Sequence, residues 1–490
     1  MKSFTVPTTL VLVAILLPAV AFAQFGSSIQ GTIVDQSGAV IPGASVTLTD
    51  ISTGIERMAE TNVSGVYRIP SLGAGEYEVR VEAEGFAVMV IPVDLLTNQI
   101  GEANAQLDVQ AAAERVVVTA EAPVLDTADS RLQSTVEEEQ LDDLPFGSRN
   151  MLGIAAVAPG ITGYGLLAGG TATGPPDNFN TEVAIEASGN GRNSSGNLYT
   201  LDGLNMTSNI IQGRPNVTPN VESVEEVAIQ TNTFSVEQTN ASSVQVAITT
   251  KSGSNEFHGT ASYFFTNQGL TARTVFSPGE KQKFKKNILN GTIGGPIVKN
   301  STFFFGSYEG LRSELSLADS VRTFESREFV GWAQENFPGT LGTQFLAERP
   351  PVDAFTTGNT RSAADVFGTG ASGCGTAATH MIPCSLPLIN EGRFVSSPFR
   401  NGNQYNARVD QYFNESADRV YFNMYKMKYD IETQVNRRGF STTDDGNMNA
   451  IQGSWTHTFS PTVLNEASFG WGIIYISGEA PTSRACACEA

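Results

Sequence analysis

The chain has 490 residues, too many for one ordinary domain. Its 50 acidic residues outweigh 30 basic ones, and a net charge of -20 excludes a nucleic-acid partner, because phosphate binding needs clustered Lys and Arg. Charged residues are still only 16% of the total and glycines number 48, which excludes an acidic disordered chain and suits a β-rich protein with many turns.

At the N-terminus, Lys2 precedes the apolar run "LVLVAILL" (Leu10 to Leu17), Pro18 and Ala21-Phe22-Ala23. A basic start, a short apolar core and an Ala-x-Ala site predict a secretory signal over residues 1–23, cut between Ala23 and Gln24, and hence export through the Sec pathway. The run is shorter than the roughly 20 residues a spanning helix needs. No later apolar run matches it, so any membrane-spanning part is expected to be built from strands.

Residues 27–109 predict a small β-domain. Strand patterns at Ile29 to Val34 and Ala44 to Thr49 are followed by "MAETN", "GVYRIPSL", "GEYEVRVEAEGF" and "VMVIPVDL", with turn signals between them at Gly54, Ser64-Gly65 and Gly73 to Gly75. Tyr77, Val79, Val81 and Ala83 alternate with Glu78, Arg80, Glu82 and Glu84, which predicts one buried and one wet face. Many short strands at this spacing read as a sandwich. The stretch "GTIVDQSGAVIPGASVTLTD…TNVSGVYRIPSLGAGEYEVRVEAEGF" resembles the carboxypeptidase regulatory-like domain, which implies a transthyretin-like sandwich and no peptidase chemistry of its own.

Residues 110–126 form a linker around "ERVVVTAEAP". Its short β-prone core is fenced by Glu114 and Arg115 before and by Glu121 and Pro123 after. Such a segment invites pairing with another strand. The plainer alternative makes it an edge strand of the neighbouring sandwich or of the domain that follows.

Residues 127–252 mix a short helix before Pro145, an apolar stretch closed by Pro159-Gly160, and strands around "GNGRNSSG". That Gly-rich run departs from GxGxxG spacing and no apolar helix follows it, so it reads as a turn-rich connection. From residue 253 the expected strands are 256–266, 286–298, 301–312, 400–413, 418–431, 447–459 and 463–476. Tyr405, Ala407, Val409, Gln411 and Phe413 share one face of their strand, and Asn465, Ala467, Phe469, Trp471, Ile473 and Tyr475 one face of theirs. The connections alternate between tight turns ("VKNS", "NESA", "SPT") and long polar loops (267–285, 313–399, 432–446). Aromatic-rich strands of about ten residues with this rhythm are the pattern of an outer-membrane β-barrel.

The order of these parts, with "ERVVVTAEAPVLDT", "LPFGSRNMLGIAAVAPGI", "GNGRNSSGNLYTLDG" and "LNGTIGGPIVKNSTFFFGSYEGLR", resembles the TonB-dependent outer-membrane receptors that carry an N-terminal carboxypeptidase regulatory-like domain. The expected fold is mainly β: a transthyretin-like sandwich, an α/β plug over 127–252 and a partial transmembrane antiparallel barrel of about seven strands over 253–490. The resemblance implies that Arg115, Val116, Val117, Val118, Thr119 and Ala120 are the TonB box, pairing with TonB on the periplasmic side. Energised uptake of a bulky extracellular solute (an oligosaccharide, peptide or metal chelate) is the expected function, with outer-membrane lipid around the barrel. The alternative is a secreted or surface adhesin without transport. Seven strands are odd in number, whereas closed bacterial barrels are even, so the chain is expected to cover the first part of a receptor.

Catalysis is not expected. The three histidines, His258, His380 and His457, lie far apart, no GxSxG occurs, and no Cys or His set has zinc spacing, so neither metal nor cofactor is expected. Among the cysteines, export makes a Cys374–Cys384 disulfide plausible, while Cys486 and Cys488 are too close for an easy bond.

Overall fold

A computed structural model describes residues 27–109, 116–117, 133–143, 149–165, 178–179, 186–231, 241–272, 283–315, 320–349, 355–394, 399–414, 416–434, 441–460 and 463–479. Ala23, Gln24, Arg115, Val118, Thr119, Ala120, Cys486 and Cys488 lie outside them.

The first unit is a two-sheet sandwich of β1 (Ser27–Asp35), β2 (Ser45–Asp50), β3 (Glu56–Glu60), β4 (Val66–Leu72), β5 (Gly75–Glu82), β6 (Met89–Leu95), β7 (Ile100–Glu102) and β8 (Ala105–Leu107). One sheet runs β4-β1-β7, with β8 also on β1, and the other runs β3-β2-β5-β6. Inward positions of both sheets, Ile29, Ile33, Val46, Leu48, Val79, Val81, Leu95 and Leu107, form a continuous apolar core. Burial of that apolar surface is the main force holding the sheets together. Tyr67 lies within it and donates its hydroxyl to the Ala103 carbonyl at 2.7 Å, so its burial leaves no orphaned polar atom. Gly31 is obligatory here, since a Cβ would lie 2.0 Å from the Ala103 oxygen.

Val116–Val117 forms β9, which adds to the outer edge of β6 in parallel, with Met89 opposite Val116 and Val90 opposite Val117. The valine pair is therefore not a free strand in the linker. It extends the second sheet to β3-β2-β5-β6-β9.

The second unit comprises β10 (Gln133–Glu137), α1 (Glu138–Asp143), β11 (Ile161–Gly165), β12 (Glu186–Gly189), β13 (Leu198–Leu201), β14 (Leu204–Asn205), β15 (Val224–Gln230) and β16 (Gln245–Thr250). Its sheet runs β10-β15-β16-β13-β14, with β13 parallel to β16 and the other neighbours antiparallel. The apolar stretch before Pro159 is a 3-10 helix, Met151–Val157, started by the Asn150 side chain accepting from the Leu152 N–H.

The third unit is an antiparallel sheet of seven strands: β17 (Ala261–Asn267), β18 (Phe284–Val298), β19 (Thr302–Leu315), β23 (Phe399–Phe413), β24 (Asp418–Gln434), β25 (Ser441–Ser460) and β26 (Val463–Glu479). Between β19 and β23 come β20 (Ser320–Glu325), α2 (Arg327–Asn336), α3 (Leu341–Glu348), β21 (Phe355–Ser362), α4 (Ala363–Phe367) and β22 (Pro387–Phe394). Period 2 separates two chemistries on the large sheet. Tyr263, Phe265, Leu289, Ile293, Val409, Phe422, Trp455, Phe469 and Trp471 are exposed on its outer face. Asn290, Ser307, Glu309, Gln404, Asn406, Arg408, Asn423 and Gln452 are buried on the inner face, against the second unit. The first and last strands of this sheet do not pair with each other. No helix among the described residues is long and apolar enough to cross a membrane.

Three expectations need correction. Residues 256–260 are not strand, and His258 makes only an isolated bridge to Gly294. The supposed loop 432–446 is largely strand, because β24 continues to Gln434 and β25 starts at Ser441, paired residue for residue from Asp418↔His457 to Gln434↔Ser441. Cross-strand hydrogen bonding recruits the polar "STTDDG" segment into the ladder without any apolar pattern of its own. Finally, 313–399 is not simply a long polar loop. It holds a three-stranded sheet, β20-β22-β21, three α-helices and a 3-10 helix (Ala377–Thr379) around Ala363, Cys374, Ile382 and Leu388, with Cys374 and Cys384 joined in a disulfide. Its helices are short, and their signatures are caps: Ser326, Thr340 and the Ser362/Asp365 capping box.

Candidate functional site: the junction of three units

Asp202 follows β13 in the left-handed region, at φ 46°, and precedes Gly203 at φ 83°. This turn drives the Asp202 carboxylate out of the second unit toward the inner wall of the large sheet. Within its own unit it accepts from the Thr250 N–H at 2.9 Å. Across the junction it pairs with Arg408 (3.3 Å) and accepts from Asn423 (3.0 Å) and Gln452 (2.9 Å). Arg408 also donates to both Asp410 oxygens, at 2.8 and 3.1 Å, and to the Thr250 carbonyl at 2.8 Å. Arg419 reaches Asp410 at 3.1 Å. Arg408 and Asp410 are almost wholly buried, so each charge depends on these partners to offset its desolvation.

A second set of contacts lies farther along the wall. Gln404 donates to the Thr218 carbonyl at 2.7 Å, the Asn220 N–H donates to the Tyr425 hydroxyl at 3.2 Å, and Asn178 donates to Glu309 at 3.0 Å. Phe179, fully buried, lies against Gly402, where a Cβ would stand 2.4 Å from its ring. Arg149 pairs with Glu222 at 2.9 Å while its guanidinium stacks 3.7 Å from the centre of the Phe264 ring. One apolar cluster runs through both units, joining Met151, Ile154 and Val227 to Leu311, Tyr425 and Met448.

The sandwich reaches the same junction from its loops. The Thr97 N–H, just after β6, donates to Glu226 at 2.5 Å, and the Thr97 carbonyl accepts from Gln133 at 3.0 Å. Thr97 and Thr249 share a hydroxyl contact at 2.9 Å. Asn255 donates its N–H to the Ser52 carbonyl at 3.0 Å and accepts from the Asn300 N–H at 2.9 Å, tying the sandwich to the turn between β18 and β19. Burial pushes the Glu226 carboxyl up to about 7, opposed by its bonds from Thr97 and reinforced by Glu137 and Asp94. A cavity of about 130 Å³ remains where the three units meet, lined among others by Ala74, Thr97, Asp202, Arg408, Arg419 and Glu466.

The β6–β9 edge is the other half of the site. β6 carries Val116–Val117 beside Met89 and Val90 at one end and leads into Thr97 at the other. The valine pair and the Glu226 contact are thus joined through one seven-residue strand. Among the residues expected to form the TonB box, only this pair falls within the described residues. Asp202 and Arg408 were not singled out from the sequence, although Arg408 and Asp410 sit two apart on the face opposite Tyr405 and Val409. Two opposite charges on an inward face were the available signal.

Two families match the chain: the carboxypeptidase regulatory-like domain over residues 28–110 and the outer membrane beta barrel domain over residues 249–485. A curated relative, the TonB-dependent transporter Oar of Myxococcus xanthus, is 28% identical over 314 residues. The chain thus combines a carboxypeptidase regulatory-like domain with an outer membrane beta barrel domain, and it is similar to a TonB-dependent transporter. The barrel domain places the protein in the outer membrane. The alignment covers 60% of the chain and 27% of the relative, so the chain spans about a quarter of that protein's length. Among solved structures, a streptococcal ancillary pilin (16% identity, 17% of this chain and 32% of that one) and a mercury-inhibited catechol 1,2-dioxygenase of an Acinetobacter species (12% identity, 20% and 60%) each reach a TM-score of 0.16. At that score neither likeness carries an argument. Among the described residues, no group of three or more His, Cys, Asp or Glu is placed to hold a metal ion.

Proposed function

We propose that this protein moves a bulky solute (an oligosaccharide, peptide or metal chelate) across the outer membrane using energy delivered by TonB. Residues 127–252 act as the plug, and Arg115 to Ala120 act as the TonB box. The observation that carries the reading is the buried Asp202–Arg408–Asp410 network, which fastens the second unit to the polar inner wall of the large sheet. An aqueous lumen filled by a removable plug needs this arrangement, with polar atoms inward and aromatics outward. The short turns and the sandwich then lie in the periplasm, and the disulfide-bearing subdomain lies outside the cell. Export through the Sec pathway with cleavage between Ala23 and Gln24 delivers the chain there, and the role is transport rather than catalysis.

Strand addition explains how TonB would grip the segment: main-chain hydrogen bonds supply affinity and alternating valines supply fit. Deleting Arg115 to Ala120 tests it. The expected result is loss of solute uptake and of binding to the purified C-terminal domain of TonB, with surface binding of the solute unchanged. Unchanged uptake in the deletion would overturn the transport reading and favour an adhesin.

A further inference from the structure

Beneath the large sheet, where its short turns face the sandwich, lies a cleft of about 270 Å³. Arg57, Met58 and Arg68 form its sandwich side, and Ser416, Phe459 and Ser460 its barrel side. Its charge is unusual for a chain with a net charge of -20. Arg57 donates to the Pro70 and Ser71 carbonyls at 3.0 and 3.2 Å, and Arg68 reaches the Ser28 hydroxyl at 3.4 Å. Among the described residues neither guanidinium is paired with a carboxylate, and the enclosed Arg68 Nε has no hydrogen-bond partner. Burial pulls the Arg57 pKa down and the neighbouring positive Arg419 lowers it further, against the opposing pulls of Tyr412, Tyr77 and Asp50. Two guanidiniums held beside one cleft, neither in direct contact with a carboxylate among the described residues, match an anion with several acceptor oxygens, the geometry that arginine recognises best.

The position of the cleft says which anion. Phe459 lies on the outward face of β25 in line with Trp455 and His457, whose ring centres step along the strand at 6.2 and 4.3 Å. Asp418 anchors this row, accepting from the Trp455 indole at 2.8 Å and meeting the His457 ring at 2.7 Å. An aromatic row at the end of an apolar outer face is where such barrels meet the headgroup layer. Phe459 and Met58 stay exposed at 66% and 74%, on the two sides of the cleft. A free phosphate would satisfy the arginines and leave both apolar side chains in water. A phospholipid would satisfy both, with its phosphate in the cleft and its chains along Phe459 and Trp455.

We propose that Arg57 and Arg68 bind the phosphate of an anionic phospholipid from the adjoining leaflet, seating the sandwich against the membrane. The proposal rests on the barrel domain lying in a bilayer and not on coupling to TonB, so loss of TonB binding would leave it standing. The test uses the purified protein in neutral detergent, with retained phosphatidylglycerol and phosphatidylcholine counted by native mass spectrometry. Arg57→Gln/Arg68→Gln should lower the affinity for phosphatidylglycerol about tenfold, the scale of losing charge-assisted bonds, and leave the weaker phosphatidylcholine retention unchanged. Arg57→Lys/Arg68→Lys should keep part of the preference. Equal phosphatidylglycerol affinity in the Gln pair and the wild type would overturn the proposal. A readout free of variants is competition on the wild type: inorganic phosphate should fail to displace the lipid at matched concentration, and equal displacement would assign the cleft to a free anion instead.

Discussion

The second unit has two neighbours, and it is fastened to them differently. Against the large sheet it buries ionised groups, Asp202, Arg408 and Asp410, and shares one continuous apolar cluster. Against the sandwich it makes a handful of contacts centred on Thr97, Glu226, Thr249 and Gln133. Buried pairs are costly to break one-sidedly, because the surviving charge is left in low dielectric, whereas each ordinary hydrogen bond is worth little net. The sandwich should therefore separate from the second unit well before that unit leaves the barrel wall. Under the proposed function, a pull on the linker would act first on the weaker joint.

The largest effect should come from Arg408→Ala, which takes the cationic partner from Asp202, leaving it the hydrogen bonds from Thr250, Asn423 and Gln452, and leaves Asp410 with Arg419. Its cost to the joint should be about 3–5 kcal/mol, read as a lower urea midpoint for proteolytic exposure of residues 133–250. A cost near zero would mean that the apolar cluster alone holds that joint. Next, Cys374→Ser/Cys384→Ser opens a short loop and should cost about 2–3 kcal/mol, confined to protease resistance of residues 320–394 and leaving the joint of the second unit untouched. Gly402→Ala places a methyl 2.4 Å from the Phe179 ring and should cost about 1–3 kcal/mol by overpacking, weakening only the barrel-side joint in the same urea assay.

The smallest effects belong to the sandwich joint. Thr97→Ala removes one hydroxyl contact and should cost about 0.5–1.5 kcal/mol, detected as easier cross-linker access between the sandwich and the second unit with the barrel-side midpoint unchanged. Glu226 adds a pH dependence. Its docked value of about 7 lies above the ordinary 4.5, so docking favours the protonated acid. The contribution is complete below about 4.5 and is lost as pH rises through about 7. Glu137 and Asp94 face the same group, so Glu226→Gln should flatten the dependence between those limits without abolishing docking at high pH. A docking equilibrium already independent of pH in the wild type would contradict this account.

Much of this architecture was legible from local pattern. Alternation in "NQYNARVDQYF" and "NEASFGWGIIY" separated lipid-facing from inward positions, because a strand has a period of two whatever surrounds it. The sandwich strands were legible for the same reason, and Tyr77, Val79 and Val81 are all buried. The 320–394 subdomain was not, since its core is only a few residues gathered across a long stretch of sequence. Nor was the full length of β24 and β25, whose polar ends are strand because each supplies the other's hydrogen bonds.

The sequence alone determined the elements, their faces and the family resemblance, all of which depend on neighbours a few residues apart. Tertiary structure decided the partners. Asp202 meets Arg408 across 206 positions and Thr97 meets Glu226 across 129. Val116–Val117 lies on β6 rather than free in the linker. Edge pairing and charge pairing act between whichever groups the fold brings together, and their energies are set by burial at that meeting place, which no local pattern contains.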